Sequence, residues 1–116
     1  MIDAIVARLN TGTISSVVRF GVSTLPSPPY VCVKPEIHPG GRGVRVIAHT
    51  VIDEANILDD YIFNEVSTLL KDYEFTDSNG NSLVVKDADE YTEVMADNDD
   101  NTISMERLFY VPSRLH

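Results

Sequence analysis

The sequence predicts an α+β fold, in which a mainly antiparallel twisted sheet carries two helices packed on one face, in the order α-β-β-β-α-β-β-β-β. Three observations carry this prediction. A strongly amphipathic helix is predicted between segments that favour strands. The strands are joined mostly by short hairpin links, which imply antiparallel pairing. The 116 residues, 43% of them hydrophobic, suffice for one core, so residues 1–116 are predicted to form a single domain.

The central helix is predicted over Asp53 to Lys71. Asp53 is a suitable N-cap, and Lys71 lies near the negative end of the helix dipole. Apolar residues recur at helical spacing along one side, and the predicted core residues among them are Leu58, Ile62 and Leu69. A helix of this kind needs an apolar surface to lie on, and the flanking strands predict a sheet.

Three elements are predicted before the first long strands. A short helix spans Ile2 to Asn10 and stops at Gly12. A short strand follows within Ile14 to Val22. The segment Ser23 to Pro29 contains three prolines within four residues, so it is predicted to be a rigid connector.

A long-looped hairpin is predicted next. Its first strand is Tyr30 to Lys34, which Pro35 either ends or places at an edge of the sheet. Its second strand is Val44 to Ile52, the clearest alternating pattern in the chain. Between them, Glu36 to Gly43 contains three glycines and is predicted to be a flexible loop.

Two further hairpins are predicted after the central helix. Asn79-Gly80 is a strong signal for a type I′ turn, which needs positive φ at both central residues. The second turn is the acidic segment Asp97 to Asn101. The four predicted strands are Tyr73–Thr76, Leu83–Lys86, Glu90–Ala96 and Thr102–Val111.

The net charge argues against one class of function. The formal net charge is −9, which disfavours a protein that grips duplex DNA by neutralising phosphates. It suits an acidic partner of a basic protein, or the wall of a pore through which DNA slides. The lone Cys32 excludes an intrachain disulfide and a cysteine-based zinc site. No apolar run long enough to span a membrane and no signal peptide is recognised, which favours an intracellular setting.

Motifs for chemistry are incomplete. Asp97, Asp99 and Asn101 open like a calcium loop, but Thr102 stands where that loop needs glycine. The similar Asp77-Asn79-Asn81 pattern also lacks the closing glutamate, so solvated turns are predicted at both places.

Cys32, His49 and an acid could form a nucleophilic triad if their strands pair, but no nucleophile turn accompanies them. The three histidines lack metal-ligand spacing. We therefore predict no catalytic residue, no metal site and no cofactor, and a packing or surface role for His49.

Seven residues are predicted to contact a protein partner. The glycine-rich segment either orders against a partner, with Ile37 as an apolar anchor and Arg42 as a bidentate donor, or is a mobile hairpin tip. On the central helix, Ile57 and Phe63 flank the apolar stripe and are predicted to be exposed. The full set is Ile37, His38, Gly40, Gly41, Arg42, Ile57 and Phe63.

Glu65 lies near the middle of the apolar stripe of the central helix. A buried carboxylate needs a partner, and Arg45, Arg107 or a neighbouring subunit could supply it. The alternative is a slightly rotated helix that leaves Glu65 at the rim of its packed face.

The order of elements resembles that of a known family. A short helix and a proline-rich turn lead into PPYVCVK, then come a long loop, the strand GVRVIAHTVID and a helix that ends in VSTLLKDYEF. Acidic hairpins and the strand ISMERLFYVPSR complete the chain. This arrangement resembles the tail terminator and tail-completion proteins of tailed bacteriophages. That family has no residue signature to match here, so no functional residue is carried over.

The resemblance implies a structural virion protein that is neither an enzyme nor a cofactor carrier and is assembled in the host cytoplasm. It implies self-association into a ring, a hexamer in that family, which caps the tail tube and joins it to a head-completion or connector protein. DNA would pass through the lumen without specific binding, and no membrane would take part. The charge leaves a rival open: an acidic inhibitor or immunity-type protein that binds a basic partner as a monomer.

Overall fold

The computed structural model describes residues 1–14, 16–51, 54, 56–97 and 101–112. It contains two helical segments, seven strands and short connections within those ranges. The elements are α1 (Ile2–Leu9), β1 (Val17–Arg19), β2 (Tyr30–His38), β3 (Gly41–Val51), α2 (57–70), β4 (Glu74–Thr76), β5 (Ser82–Val84), β6 (Lys86–Asp97) and β7 (Thr102–Pro112).

The main sheet has five strands in the order β1-β2-β3-β7-β6, and β4 and β5 form a separate two-stranded sheet. All neighbouring strands are antiparallel except β1 and β2, which are parallel. Both helices pack on the same face of the main sheet, so the predicted α+β fold is confirmed. The hairpin link expected between the first two strands is wrong, because a parallel pair needs the connector to return along the sheet.

One core lies between the helices and the sheet. Ile5 and Leu9 of α1 are buried against the first strands. On β3, Val44, Val46 and Ala48 share the buried face, in agreement with the predicted alternation. None of the helices in the described ranges is long and apolar enough to span a membrane.

The central helix α2 has an unusual middle. Its first and last parts, Ile57–Asp59 and Ser67–Leu70, are α-helical, whereas Asp60–Val66 is a π-helix. The wider π turns bring every fourth residue to the same side, so the fully buried residues are Leu58, Ile62, Val66 and Leu70.

Leu69 is therefore half-buried at the margin of the core, and its prediction as a core residue is wrong in favour of its neighbour Leu70. The predicted N-cap, Asp53, lies outside the described residues.

Strand β2 is longer than predicted and continues through Pro35 to His38. The N–H of Val31 and the carbonyl of Val33 bond towards β1, so the odd-numbered residues of β2 direct their backbone groups away from β3. Pro35 is in this set and lies beyond the last residue paired with β1. Its missing N–H therefore removes no hydrogen bond to β3, and the edge alternative is correct.

The β4–β5 hairpin has a different turn from the predicted type I′. Gly80 has a φ of +82°, but Asn79 does not have positive φ. The N–H of Asp77 donates to the carbonyl of Asn81, and the Asp77 carboxylate accepts the N–H groups of Asn79 and Asn81. The three-residue loop from Ser78 to Gly80 is thus closed by an aspartate side chain, with glycine at the left-handed position.

The last hairpin starts earlier than predicted. Strand β6 begins at Lys86, because Val85 separates it from β5 by bonding to the chain that follows α2. The pairing of β6 with β7 is shifted between Asp87 and Glu90, and Asp89 there has a φ of +57°. This irregularity is a β-bulge close to the start of the edge strand.

Candidate protein-interaction surface

The β2–β3 hairpin is closed by a two-residue turn. Ile37 pairs with Arg42, His38 pairs with Gly41, and only Pro39 and Gly40 remain between the strands. The predicted flexible loop over Glu36 to Gly43 is therefore wrong. Its alternating side chains continue both strands, and Gly41 accepts a φ of +156° where the second strand begins.

The glycines of this turn allow close packing. The ring of His38 stacks on the ring of Tyr110 with centroids 4.3 Å apart, and His38 Nδ1 accepts the N–H of Gly40 at 2.9 Å. A Cβ on Gly40 would lie 3.0 Å from the Tyr110 ring, and one on Gly43 would lie 3.0 Å from the carbonyl oxygen of Glu36. The turn is held by contacts that a larger residue would disturb.

The same face of the hairpin carries an ion-pair network. Arg45 on β3 lies 2.8 Å from Glu36 on β2 and 3.3 Å from Glu106 on β7. All three side chains are mostly buried, so the pairs are less screened by solvent than surface pairs are. The network ties the outer half of the hairpin to the middle of the sheet.

Ile37 is the most exposed large apolar side chain in the described part of the chain, at 95% of its free area. Arg42, its cross-strand neighbour, is also exposed. Both side chains belong to paired strands, so little backbone entropy would be lost if a partner covered them. The two predicted anchors are thus brought together at a preorganised hairpin tip.

The two predicted contact residues on the central helix are not exposed. Phe63 packs against the core and lies with its ring 5.7 Å from the guanidinium of Arg107. Ile57 is half-buried at the start of α2. The prediction that both flanks of the helix are exposed is wrong, because Phe63 is covered by the core and Ile57 is half-buried.

Glu65 is bound by neither of the arginines suggested for it. Its carboxylate accepts the N–H and the hydroxyl of Thr13, the hydroxyl at 2.8 Å, which ties α2 to the turn after α1. Gly12 allows this approach, since a Cβ there would collide with the Glu65 carboxylate and would lie 2.8 Å from Leu69. The half-buried Glu65 therefore lies at the rim of the packed face, as the rotated-helix alternative predicts.

A buried ion pair lies beneath α2. Arg107 interrupts the apolar face of β7, and its guanidinium pairs with the carboxylate of Asp87 on β6. The two side chains are only 12% and 8% exposed. Arg107 could be found from the sequence, because it interrupts an alternating apolar strand. No pattern in the sequence singles out Asp87 as its partner.

Cys32 and His49 occupy the sheet face opposite the helices but are not aligned. Cys32 is opposite Ile47, whereas His49 is opposite Tyr30 and stacks on its ring at 4.6 Å. Burial raises the pKa of the Cys32 thiol and so disfavours the thiolate that a nucleophile needs. The arrangement supports the predicted packing role of His49.

His49 is expected to make the protein less stable in mild acid. Burial lowers the pKa of His49, and the nearby Glu106 offsets this only in part. Because the folded pKa lies below the unfolded value, the unfolded chain takes up the proton first as the pH falls. The stabilisation present at neutral pH is then lost through the range just below about 6.5. Between pH 7.5 and pH 5.5, the melting temperature of His49→Gln should fall less than that of the wild type. An equal fall in the two proteins would contradict this prediction.

Cation sites are not supported where the chain is described. No three His, Cys, Asp or Glu side chains in those ranges are grouped so that they could hold a metal ion. The Asp77 carboxylate is engaged by its own turn, and these hydrogen bonds lower its pKa. The other calcium-like pattern falls partly on residues 98–100, outside the described residues.

A shallow open groove between Thr13 and α2 is lined by Asp60, Asn64 and Thr68, and Asn64 donates to Asp60 at 3.1 Å. It contains no group of convergent ligands.

No protein-family model and no curated protein matches the sequence. The hairpin tip is therefore the best-defined candidate interaction surface among the residues described.

Proposed function

We propose that the protein is a structural virion protein of a tailed bacteriophage. In this proposal it is a tail terminator that assembles into a ring, a hexamer in keeping with the family it resembles. One face of the ring would meet the last ring of the tail tube, and the other would meet a head-completion or connector protein. The observation that carries the proposal is the exposed Ile37 on a paired, tightly turned hairpin, a feature suited to protein contact.

The mechanism would be geometric. The hairpin tip presents Ile37 as an apolar anchor and Arg42 as a donor for a carboxylate or carbonyl group of the neighbour. The stacking of His38 on Tyr110 and the Arg45 ion pairs preorganise the tip, so binding costs little ordering entropy. The net charge of −9 opposes adhesion of DNA that passes through the lumen.

The first test is the oligomeric state of the purified protein. Light scattering is expected to give a mass several times that of the 12.9 kDa chain, and negative-stain images are expected to show rings with a central hole. A monomer at every concentration would overturn the proposed function. A monomer that also bound a basic protein stoichiometrically would support the acidic-inhibitor alternative, which the negative charge favours.

The second test addresses the hairpin tip. Ile37→Ser should leave the ring intact but weaken its co-sedimentation with tail tubes of the same phage by at least about tenfold, because a buried apolar anchor is lost. Ile37→Val keeps a branched apolar side chain and should retain binding. Equal binding of the serine variant, the valine variant and the wild type would remove Ile37 from the contact.

A further inference from the structure

The charge is divided unevenly along the chain. Residues 1–52 contain five basic and two acidic residues, a net charge of +3. Residues 53–116 contain four basic and sixteen acidic residues, a net charge of −12. The two parts together give the total of −9. The acidic character of the protein therefore belongs entirely to its second half.

The strand order turns this division into a polarity across the sheet. Strands β1, β2 and β3 occupy one side, and β7 and β6 occupy the other. Arg19 is exposed on β1 at the first edge, where its guanidinium lies 3.1 Å from the carboxylate of Asp3, and the half-buried Lys34 lies beside it on β2. Asp89 and Glu90 are exposed on β6 at the opposite edge. The subunit thus has a basic edge and an acidic edge.

Exposed apolar side chains also collect at the basic edge. Among the side chains that the structure describes, four large apolar ones are exposed, and all belong to β2 or to the connector before it: Phe20, Val22, Leu25 and Ile37. Three of them lie in the connector between β1 and β2, where Lys34 Nζ is 4.9 Å from the centre of the Phe20 ring. Grouped exposed apolar residues of this kind mark interaction sites.

Two features oppose the addition of a strand through the backbone beside β2 and β6. On β2, the residues beyond β1 include Pro35, which has no N–H to offer. On β6, the bulge between Asp87 and Glu90 interrupts a regular ladder. A contact at these edges would therefore be made by side chains, so charge and apolar area would determine which surfaces meet.

We propose that copies of this chain associate head to tail, with the basic edge of one subunit against the acidic edge of the next. This inference rests on the proposed ring and names its subunit contact. Two copies of the same edge would bring like charges together, whereas two different edges are complementary. A contact between different surfaces repeats from subunit to subunit and closes into a ring when the rotation allows it. The connector residues Phe20, Val22 and Leu25 would supply its apolar part.

Charge reversal tests which edges meet. Arg19→Glu places a negative charge in the basic edge, and Glu90→Arg places a positive charge in the acidic edge. Each variant alone should raise the dissociation constant of the contact at least about tenfold. An equimolar mixture should assemble again, because each altered edge can then meet the oppositely altered edge of the other variant. Sedimentation velocity at low and high ionic strength measures these masses.

Two control variants carry the same change in charge at exposed positions that belong to neither edge strand of the main sheet. Lys71→Glu at the end of α2 matches Arg19→Glu, and Glu74→Arg on β4 matches Glu90→Arg. Both controls should assemble like the wild type.

If the wild type and both edge variants all form rings, the edge contact is wrong and the proposed function still stands. A wild type that stays monomeric would overturn both. A wild-type dimer, or a mixture that fails to recover, would contradict a head-to-tail contact.

Discussion

Replacing Ile62 with alanine is expected to lower the free energy of unfolding by about 2–5 kcal/mol. Ile62 lies in the π-helical middle of α2 and is fully buried in the core between helices and sheet. The substitution removes apolar contacts and leaves a cavity that the packed strands below can fill only in part. For a single domain of ordinary stability this is a large share of the total, and urea titration would measure it.

Ile37→Ala is the matched control, because it makes the same chemical change at a side chain that is 95% exposed. Its free energy of unfolding should stay within about 0.5 kcal/mol of the wild type. Comparable losses at the two positions would mean that Ile37 is packed in solution. No loss at Ile62 would mean that α2 presents a different face to the sheet.

Removing the carboxylate of Asp87 is expected to cost about 3 kcal/mol in the free energy of unfolding. In Asp87→Ala, the largely buried guanidinium of Arg107 keeps its charge but loses the carboxylate that pairs with it. The phenyl rings of Phe63 and Phe109, 5.7 and 5.9 Å from that guanidinium, cannot replace an opposite charge.

The double variant Asp87→Leu with Arg107→Met separates the charge effect from packing. Replacing both partners by apolar residues should cost less than Asp87→Ala alone, since no buried charge is left behind. Asp72→Asn serves as the control at an exposed pair, where Asp72 lies 2.9 Å from Lys86, and it should leave the urea midpoint unchanged. Asparagine is chosen because Asp72 has a φ of +60°, which asparagine adopts more readily than alanine. If Asp87→Ala also left the midpoint unchanged, the pair would be accessible to water in solution.

Local patterns were sufficient for most of the elements. Apolar residues recur along α2 and alternate along β3 because side chains return to the buried face of a helix or strand at a fixed spacing in the chain. The same reasoning placed both helices on one face of a mainly antiparallel sheet. It also identified Ile37 and Arg42 as a pair at one surface, although it assigned them to a flexible loop.

The errors occurred where a distant residue decides the local conformation. Gly40, Gly41 and Gly43 suggest mobility when only neighbours in sequence are considered, but the turn is packed against Tyr110, far along the chain. Pro35 was compatible with either an edge or an end, and the short reach of β1 settled the question. The buried residue at the end of α2 is Leu70 rather than Leu69, because a π-helical segment changes the phase of the helix.

The sequence by itself determined the class of fold, the faces of its main elements and the excess of negative charge, because each of these depends on residue type and spacing alone. The tertiary structure decided which groups meet. It paired Asp87 with Arg107 and Glu65 with Thr13, and it placed Arg19 at one edge of the main sheet and Asp89 and Glu90 at the other. These contacts join residues far apart in the chain, and strand order and register bring them together.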